Sequence, residues 1–162
     1  MLSPVPQFTR ALRALAAILT KAEAYAAAGK IDPAVLPGVR LYPDMLNLTG
    51  QVQLACDFAA RAAARLAGDE IRNFADTETT LAELQARIAT ALAYLAGFGP
   101  ERFAGAEDRQ ITLKQSSGDL VLSGAEYLAH YSQPQFFFHL TTAYCLLRHN
   151  GLAIGKRDYM GD

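Results

Sequence analysis

Three long segments of this chain repeat apolar residues at alternating intervals of three and four positions, which restricts what the chain can fold into. Such spacing places apolar side chains on one face of an α-helix, whereas a half-buried strand alternates every second residue. The first segment predicts a helix over residues 4–28, ended by Gly29. Its apolar positions are Val5, Phe8, Leu12, Leu15, Leu19, Ala22 and Tyr25.

The second and third segments follow a long connection that covers residues 30–42. Helix two is predicted to begin near Pro43 and to end before Gly68. Thr77 or Thr80 is predicted to open helix three, since Thr80 and Glu83 have the spacing of a capping box. The apolar positions of these helices are Leu41, Met45, Leu48, Val52, Ala55, Ala59, Ala62 and Leu66, then Leu81, Leu84, Ile88, Leu92 and Leu95.

The pattern changes between Arg109 and Ser123, where polar and apolar residues alternate in two short runs. This alternation predicts a β-hairpin, which must pack on the helices because two strands alone are marginally stable. Ser123 and Glu126 form a second capping box and open a fourth helix that extends to about Asn150. Pro134 lies inside that helix and lacks an N–H donor, so we expect a kink or a break there.

The predicted fold class is all-α: a four-helix bundle with a long connection between helices one and two and a short β-hairpin before helix four. We expect one domain over residues 1–162, since 51% hydrophobic residues are enough for a packed core. The 15 basic and 16 acidic side chains leave no positive excess, which argues against nucleic acid as a partner. No apolar stretch reaches the ~20 residues of a membrane span, so no membrane partner is expected.

The N-terminus shows no signal-like segment, which favours a cytoplasmic protein. Cys56 and Cys145 both lie in apolar helical pattern and are predicted to be reduced thiols. A disulfide has no compositional support, and no Cys/His cluster indicates a zinc site.

Eight short blocks spread over nearly the whole chain carry a family resemblance. They are LYPDM (41–45), QVQ (51–53), FADTE (74–78), GAEDR (105–109), PQFFFH (134–139), TTAY (141–144), LRHNG (147–151) and GKRD (155–158). In these blocks the chain resembles the DinB/YfiT-like four-helix-bundle superfamily and, within it, the bacterial domain-of-unknown-function family DUF1993. The resemblance implies a DinB-like bundle, and the narrower family implies no activity.

The superfamily also implies a metal site that this sequence does not complete. Many members bind a divalent metal through one histidine of helix two and two histidines of helix four at i, i+4 spacing. By this resemblance His139 matches the second helix-four position, but Gln135 occupies the first, and helix two contains no histidine. Because an amide is a poor ligand for zinc or nickel, we expect no metal and no cofactor. A bound ion would need a mixed set such as Asp44 and His139 with water.

A set of polar residues near these positions forms the candidate pocket. Asp44 and Gln51 are predicted to share a face of helix two, and Gln135 and His139 a face of helix four. In the superfamily fold the two pairs would face each other, either as a ligand pocket or as a sealed hydrogen-bond network that fixes helix register. The full candidate set is Asp44, Gln51, His130, Tyr131, Gln135 and His139.

Two functions remain open from the sequence. The first is a dimeric binding or accessory protein, favoured by the missing metal ligands; a homodimer is expected because helix four is apolar on most sides. Its other expected partner is a small molecule held in the bundle. The second is an enzyme of the transferase, isomerase or hydrolase type that the superfamily implies, with His139 as general base and Asp44 orienting it.

Overall fold

The computed structural model describes residues 3–161, which form a helical bundle with one β-hairpin. In chain order the elements are α1 (Val5–Ala28), α2 (Val35–Gly38), α3 (Leu48–Ala67), α4 (Leu81–Ala96), a 3₁₀ turn (Pro100–Phe103), β1 (Gln110–Leu113), β2 (Leu120–Ser123), α5 (Gly124–Glu126), a π-helical turn (Tyr127–Ser132), α6 (Gln133–His149) and α7 (Lys156–Met160). Helices α1, α3, α4 and α6 are the four long helices, so the predicted all-α fold class is confirmed.

Helix α3 is the centre of the bundle and packs on both α6 and α4. Its alanines are buried from Ala55 to Ala64, and small side chains allow neighbouring helices to approach closely. A single hydrophobic core joins the four long helices, with Phe8, Leu84 and Phe136 among its fully buried members. Within residues 3–161, no helix combines the length and the apolar character that crossing a membrane requires.

The predicted start of helix two near Pro43 is wrong, because α3 begins at Leu48. Asn47 has an extended backbone, and its side-chain oxygen accepts the N–H of Gly50 at 3.0 Å, which makes it the N-cap. The preceding residues form a turn in which the N–H of Met45 is donated to the carbonyl of Tyr42 at 3.0 Å. The apolar repeat continues through this turn, which is why it suggested a longer helix.

The other predicted helix starts and the hairpin are confirmed. Thr80 and Ser123 are the N-caps of α4 and α5, and each forms a complete capping box. Strands β1 and β2 pair antiparallel, from Gln110 opposite Ser123 to Leu113 opposite Leu120. The chain can pass from β2 into α5 only with glycine at position 124, since a Cβ there would lie 1.8 Å from the carbonyl oxygen of Ala106.

Pro134 does not break the fourth helix, which remains helical from residue 124 to residue 149. The irregularity takes the form of the π-helical turn, in which the N–H of Gln133 is donated to Leu128, five residues back. Pro134 follows directly in the first turn of α6, so its missing N–H falls where the hydrogen bonding changes from the π to the α pattern. The predicted disturbance is therefore present, but as an inserted residue and not as a break.

The C-terminal segment contains α7, which packs against α1 while Lys156 and Arg157 remain exposed. Lys21 and Asp158 form an ion pair at 2.5 Å. The hydroxyl groups of Thr141 and Tyr159 lie 2.8 Å apart and hydrogen-bond α6 to α7. These contacts hold α7 against both α1 and α6.

Candidate functional site

The centre of the candidate site is a hydrogen bond between Gln51 of α3 and His139 of α6. The imidazole Nδ1 and the amide Oε1 are 2.8 Å apart, and the amide Nε2 of Gln51 donates to the carbonyl of Leu46 at 3.1 Å. Because this second bond directs Oε1 toward the ring, Nδ1 must be the donor. The neutral imidazole then carries its lone pair on Nε2, which has no hydrogen-bond partner within residues 3–161.

The surroundings of His139 favour its neutral form. Burial lowers the pKa of His139 below its ordinary value. Its hydrogen-bond partner Gln51 is uncharged and cannot stabilise an imidazolium as a carboxylate would. His139 is 7% exposed, and its ring stacks on Phe58 with centroids 5.6 Å apart. The site therefore presents a neutral hydrogen-bond acceptor beside an aromatic surface.

An aromatic row continues away from His139 along α3 and the π-helical turn. Phe58 meets Tyr131 edge-on at 6.3 Å, and Tyr131 stacks on Tyr127 at 5.8 Å. The hydroxyl of Tyr127 accepts a hydrogen bond from Arg65 at 3.1 Å. The ring of Phe138 meets His139 edge-on, with centroids 5.3 Å apart. We call this surface the α3/α6 face; its residues are Gln51, Phe58, Tyr131, Gln135, Phe138 and His139.

Four of the six predicted site residues lie on the α3/α6 face. Gln51 and His139 are hydrogen-bonded to each other, and Tyr131 contacts the ring of Phe58, which stacks on His139. Gln135 is half-buried one helical turn before His139 and makes no hydrogen bond within the described part of the chain.

The remaining two residues, Asp44 and His130, lie elsewhere. Asp44 is exposed in the turn before α3, so the prediction that it shares a helix face with Gln51 is wrong. Its register depended on a helix that begins at Pro43, and the Asn47 cap prevents that start. His130 is exposed, and no hydrogen bond or ring contact joins it to Gln51 or His139 within residues 3–161.

The donor atoms at this face do not fit the divalent metal that the superfamily resemblance implies. His139 uses Nδ1 for Gln51, and the other polar side chains of the face are the amides of Gln51 and Gln135 and the phenol of Tyr131. Within residues 3–161, no group of three histidine, cysteine or acidic side chains is placed to hold a metal ion. One imidazole nitrogen with amide oxygens is not a set that holds zinc or nickel tightly.

A second polar cluster, which the sequence did not reveal, lies between α3 and α4. Arg87 is 4% exposed and bonds Asp57 at 2.6 Å, Glu78 at 3.0 Å and Asp76 at 3.1 Å. Its guanidinium also lies over the ring of Phe74, 4.7 Å from the centroid. The cluster attaches the connection between α3 and α4 to the bundle.

One signal could have indicated this cluster. Arg87 stands three residues after Leu84 and directly before Ile88, on the buried side of α4. A charged residue on an apolar stripe requires a buried partner of opposite charge. The sequence does not say which of the acidic residues supplies it.

The comparisons with known proteins agree with this architecture. A family described as "Domain of unknown function (DUF1993)" matches residues 3–160. No curated protein matches the chain. Among solved structures, the crystal structure of a DinB family member from Shewanella denitrificans is similar, with 46% identity and a TM-score of 0.92. The alignment covers 98% of this chain and 89% of that one.

Proposed function

We propose that this chain, which belongs to the DUF1993 family of DinB-like four-helix bundles, is a single-domain, homodimeric binding protein whose α3/α6 face holds its ligand. The observation that carries the proposal is the Gln51–His139 hydrogen bond. It fixes a neutral imidazole with Nε2 unbonded, next to the stacked ring of Phe58. A fixed acceptor beside an aromatic surface suits a ligand with an apolar body and one hydrogen-bond donor.

Exposed apolar side chains near this face support the dimer. Leu46, whose carbonyl holds Gln51, is 44% exposed, and Phe138, next to His139, is 55% exposed. Leu41 and Tyr42, in the turn that leads to Leu46, are 49% and 65% exposed. Large apolar side chains exposed in one region are typical of a protein interface.

We further propose a bacterial, cytoplasmic protein. Cys56 and Cys145 are free thiols, as is usual in reducing compartments. A bacterial source is supported by the Shewanella denitrificans structure, which is 46% identical.

The unbonded Nε2 also favours a second candidate, an enzyme in which His139 is a general base. Gln51, not Asp44, would then orient the ring. An uncharged amide does not raise the basicity of an imidazole as a carboxylate does, and burial already lowers the pKa of His139. Such a base is weaker than one oriented by a carboxylate, so we rank catalysis second to binding.

Two probes that differ by one methyl group test the binding proposal. Indole has an aromatic body and an N–H that Nε2 of His139 can accept, whereas N-methylindole has no donor. In an NMR titration we expect indole to bind several-fold more tightly, and we expect His139→Phe to remove that difference. The control is His149→Gln at the far end of α6, which should preserve it. Equal affinities for the two probes in the wild-type protein would disprove the proposal.

A further inference from the structure

A groove separate from the α3/α6 face lies where α1, α6 and α7 meet. It consists of two adjoining cavities of about 820 Å³ and about 420 Å³, which share Pro6 and Arg10. Both volumes fall within the ~300–1,000 Å³ typical of small-molecule sites. Phe137 and Leu140 of α6 line the groove, on a different side of the helix from His139.

The smaller cavity is mostly apolar. Leu140 is 2% exposed and forms its floor with Ala11, while Met160 is 50% exposed at its rim. The rings of Phe137 and Tyr159 complete its lining. An apolar chain lying here would cover apolar side chains that otherwise contact water.

The larger cavity is cationic. Arg10, Arg13, Lys21 and Arg157 line it, against one acidic side chain, Asp158. This local excess contrasts with a net charge of −1 for the whole chain. Lys21 is paired with Asp158, and Arg10 donates to the carbonyl of Met160 at 3.1 Å. Arg13 and Arg157 line the cavity without a hydrogen-bond or ion-pair partner among residues 3–161.

The walls of the groove are fixed by specific contacts. The side chain of Arg10 bonds two successive carbonyls at the end of α7, those of Met160 and Gly161, at 3.1 and 3.2 Å. With the Lys21–Asp158 ion pair and the Thr141–Tyr159 hydrogen bond, these contacts attach α7 to both α1 and α6. Arg10 thus ties α7 to α1 at the junction of the apolar and cationic cavities.

We propose that this groove binds an anionic amphiphile, a molecule with an apolar chain and a carboxylate or phosphate head. The head would lie between Arg13 and Arg157, whose guanidinium groups are free to form charge-assisted hydrogen bonds. The chain would lie on Phe137, Leu140 and Tyr159. Two unpaired cations beside an apolar trough complement such a molecule, and neither a neutral lipid nor an inorganic anion alone would use both parts.

Calorimetry on the full-length protein with ten-carbon probes tests this proposal. Decanoate and decyl phosphate, kept below their aggregation concentrations at ~0.15 M salt, should each bind saturably with one molecule per chain. The tighter of the two identifies the head group. Each methylene removed from the alkyl chain of the probe should raise Kd by about fourfold. Decyltrimethylammonium, with the same chain and a positive head, should bind at least ten times more weakly.

Charge reversals locate the head. Arg13→Glu and Arg157→Glu change exposed side chains without partners, so the fold should be unaffected, and each should weaken decanoate binding at least tenfold. The matched control is Lys156→Glu, the same charge change on the neighbouring residue of α7, which does not line the groove. It should change Kd by no more than about twofold because its charge is screened by solvent.

The methionine methyl NMR spectrum locates the chain, because the sequence has only three methionines. The Met160 signal should shift on addition of decanoate, while the Met45 signal in the turn before α3 should not. The proposal is overturned if the cationic amphiphile binds as tightly as decanoate, if both charge reversals leave Kd unchanged, or if Met160 does not respond.

Discussion

The surroundings of His139 disfavour its protonated form. A single substitution, at Gln51, should reverse this preference. In the wild-type protein its pKa lies below the ordinary 6.5 because it is buried. Gln51→Glu places a carboxylate 2.8 Å from Nδ1 and should raise that pKa above the ordinary value. NMR titration of the imidazole signals measures the change, with Gln115→Glu, in an exposed loop, as the matched charge control.

The same pair predicts opposite effects of pH on stability. In the wild-type protein the unfolded chain binds the His139 proton more readily, so stability should fall as pH drops below 6.5 toward the folded pKa. In Gln51→Glu the extra stability should be present below 6.5 and lost as pH rises through the raised folded pKa. Urea unfolding at a series of pH values on both sides of 6.5 measures how the unfolding free energy of each protein changes with pH. Identical slopes in the two proteins would contradict the assigned hydrogen bond.

Whether this protein binds a metal also depends on single residues, above all on Gln135. We expect the purified protein to contain no stoichiometric zinc or nickel and to keep its melting temperature in the presence of a chelator, since amides stand where histidines are required. Gln135→His restores the i, i+4 histidine pair on α6 and should increase nickel affinity. Elemental analysis and a metal titration measure these expectations. One tightly bound ion per wild-type chain, lost together with the fold on chelation, would show that the amides do not prevent metal binding.

At the scale of elements, the buried charges between α3 and α4 determine how these helices and their connection pack. Asp57→Ala would remove the closest partner of Arg87 while Glu78 and Asp76 remain paired with it, which should cost about 1.5–3 kcal/mol of unfolding free energy. The control Asp119→Ala removes an exposed ion pair with Lys114 and should change stability by less than ~1 kcal/mol. Urea unfolding of both variants measures the difference, and similar losses would show that the buried cluster has no special role.

Acid should weaken the same cluster. Burial acts to raise the pKa of Glu78, but hydrogen bonds from Gln53 and Arg87 and the charge of Arg87 outweigh it, so the pKa lies below 4.5. Its contribution is therefore present above 4.5 and is lost as pH falls through the lower folded value.

The π-helical turn carries one residue more than an α-helix needs, and this can be tested by deletion. Deleting the exposed Ala129 should convert the turn to regular α-helix while Tyr127, Gly124 and α6 keep their contacts, so the variant should fold. Deleting Ala89, also exposed, from the regular helix α4 should turn the residues on one side of the deletion by about 100° relative to the bundle and unfold the protein. Circular dichroism and thermal melting compare the two. Equal stability of both deletion variants would contradict the interpretation of the turn as an insertion.

These elements show what the sequence could and could not predict. The apolar repeats, capping boxes and alternating strands gave the four helices and the hairpin because each is a local pattern. The start of α3 was missed because the repeat continues through residues 41–46, and only the Asn47 cap distinguishes turn from helix. The Gln51–His139 pair followed from family resemblance. The Asp57–Arg87 pair did not emerge, since no local pattern specifies which distant charges meet.

For the whole molecule, the same helix serves two surfaces. Phe138 and His139 of α6 belong to the α3/α6 face, while Phe137 and Leu140 belong to the groove beside α7. A helix shared by two binding sites couples them only if it can adopt two positions and each ligand favours one of them. The groove and the α3/α6 face are therefore expected to bind their ligands independently, and decanoate should leave the affinity for indole unchanged.

Dimerisation is the last expectation at this scale. A standard interface covers roughly 800 Å² on each partner, about a tenth of the 8479 Å² surface of this chain. Phe138 on the α3/α6 face and Leu41, Tyr42 and Leu46 beside it could form the centre of such an interface. Sedimentation should show a dimer at micromolar concentration. Phe138→Asp places a charge within that surface and should yield monomers, since an unpaired charge is costly to bury. Val121→Asp, on the hairpin, changes a side chain of similar exposure, 52% against 55%, and should leave the dimer intact. A wild-type monomer, or dissociation by both substitutions alike, would rule out this surface as the interface.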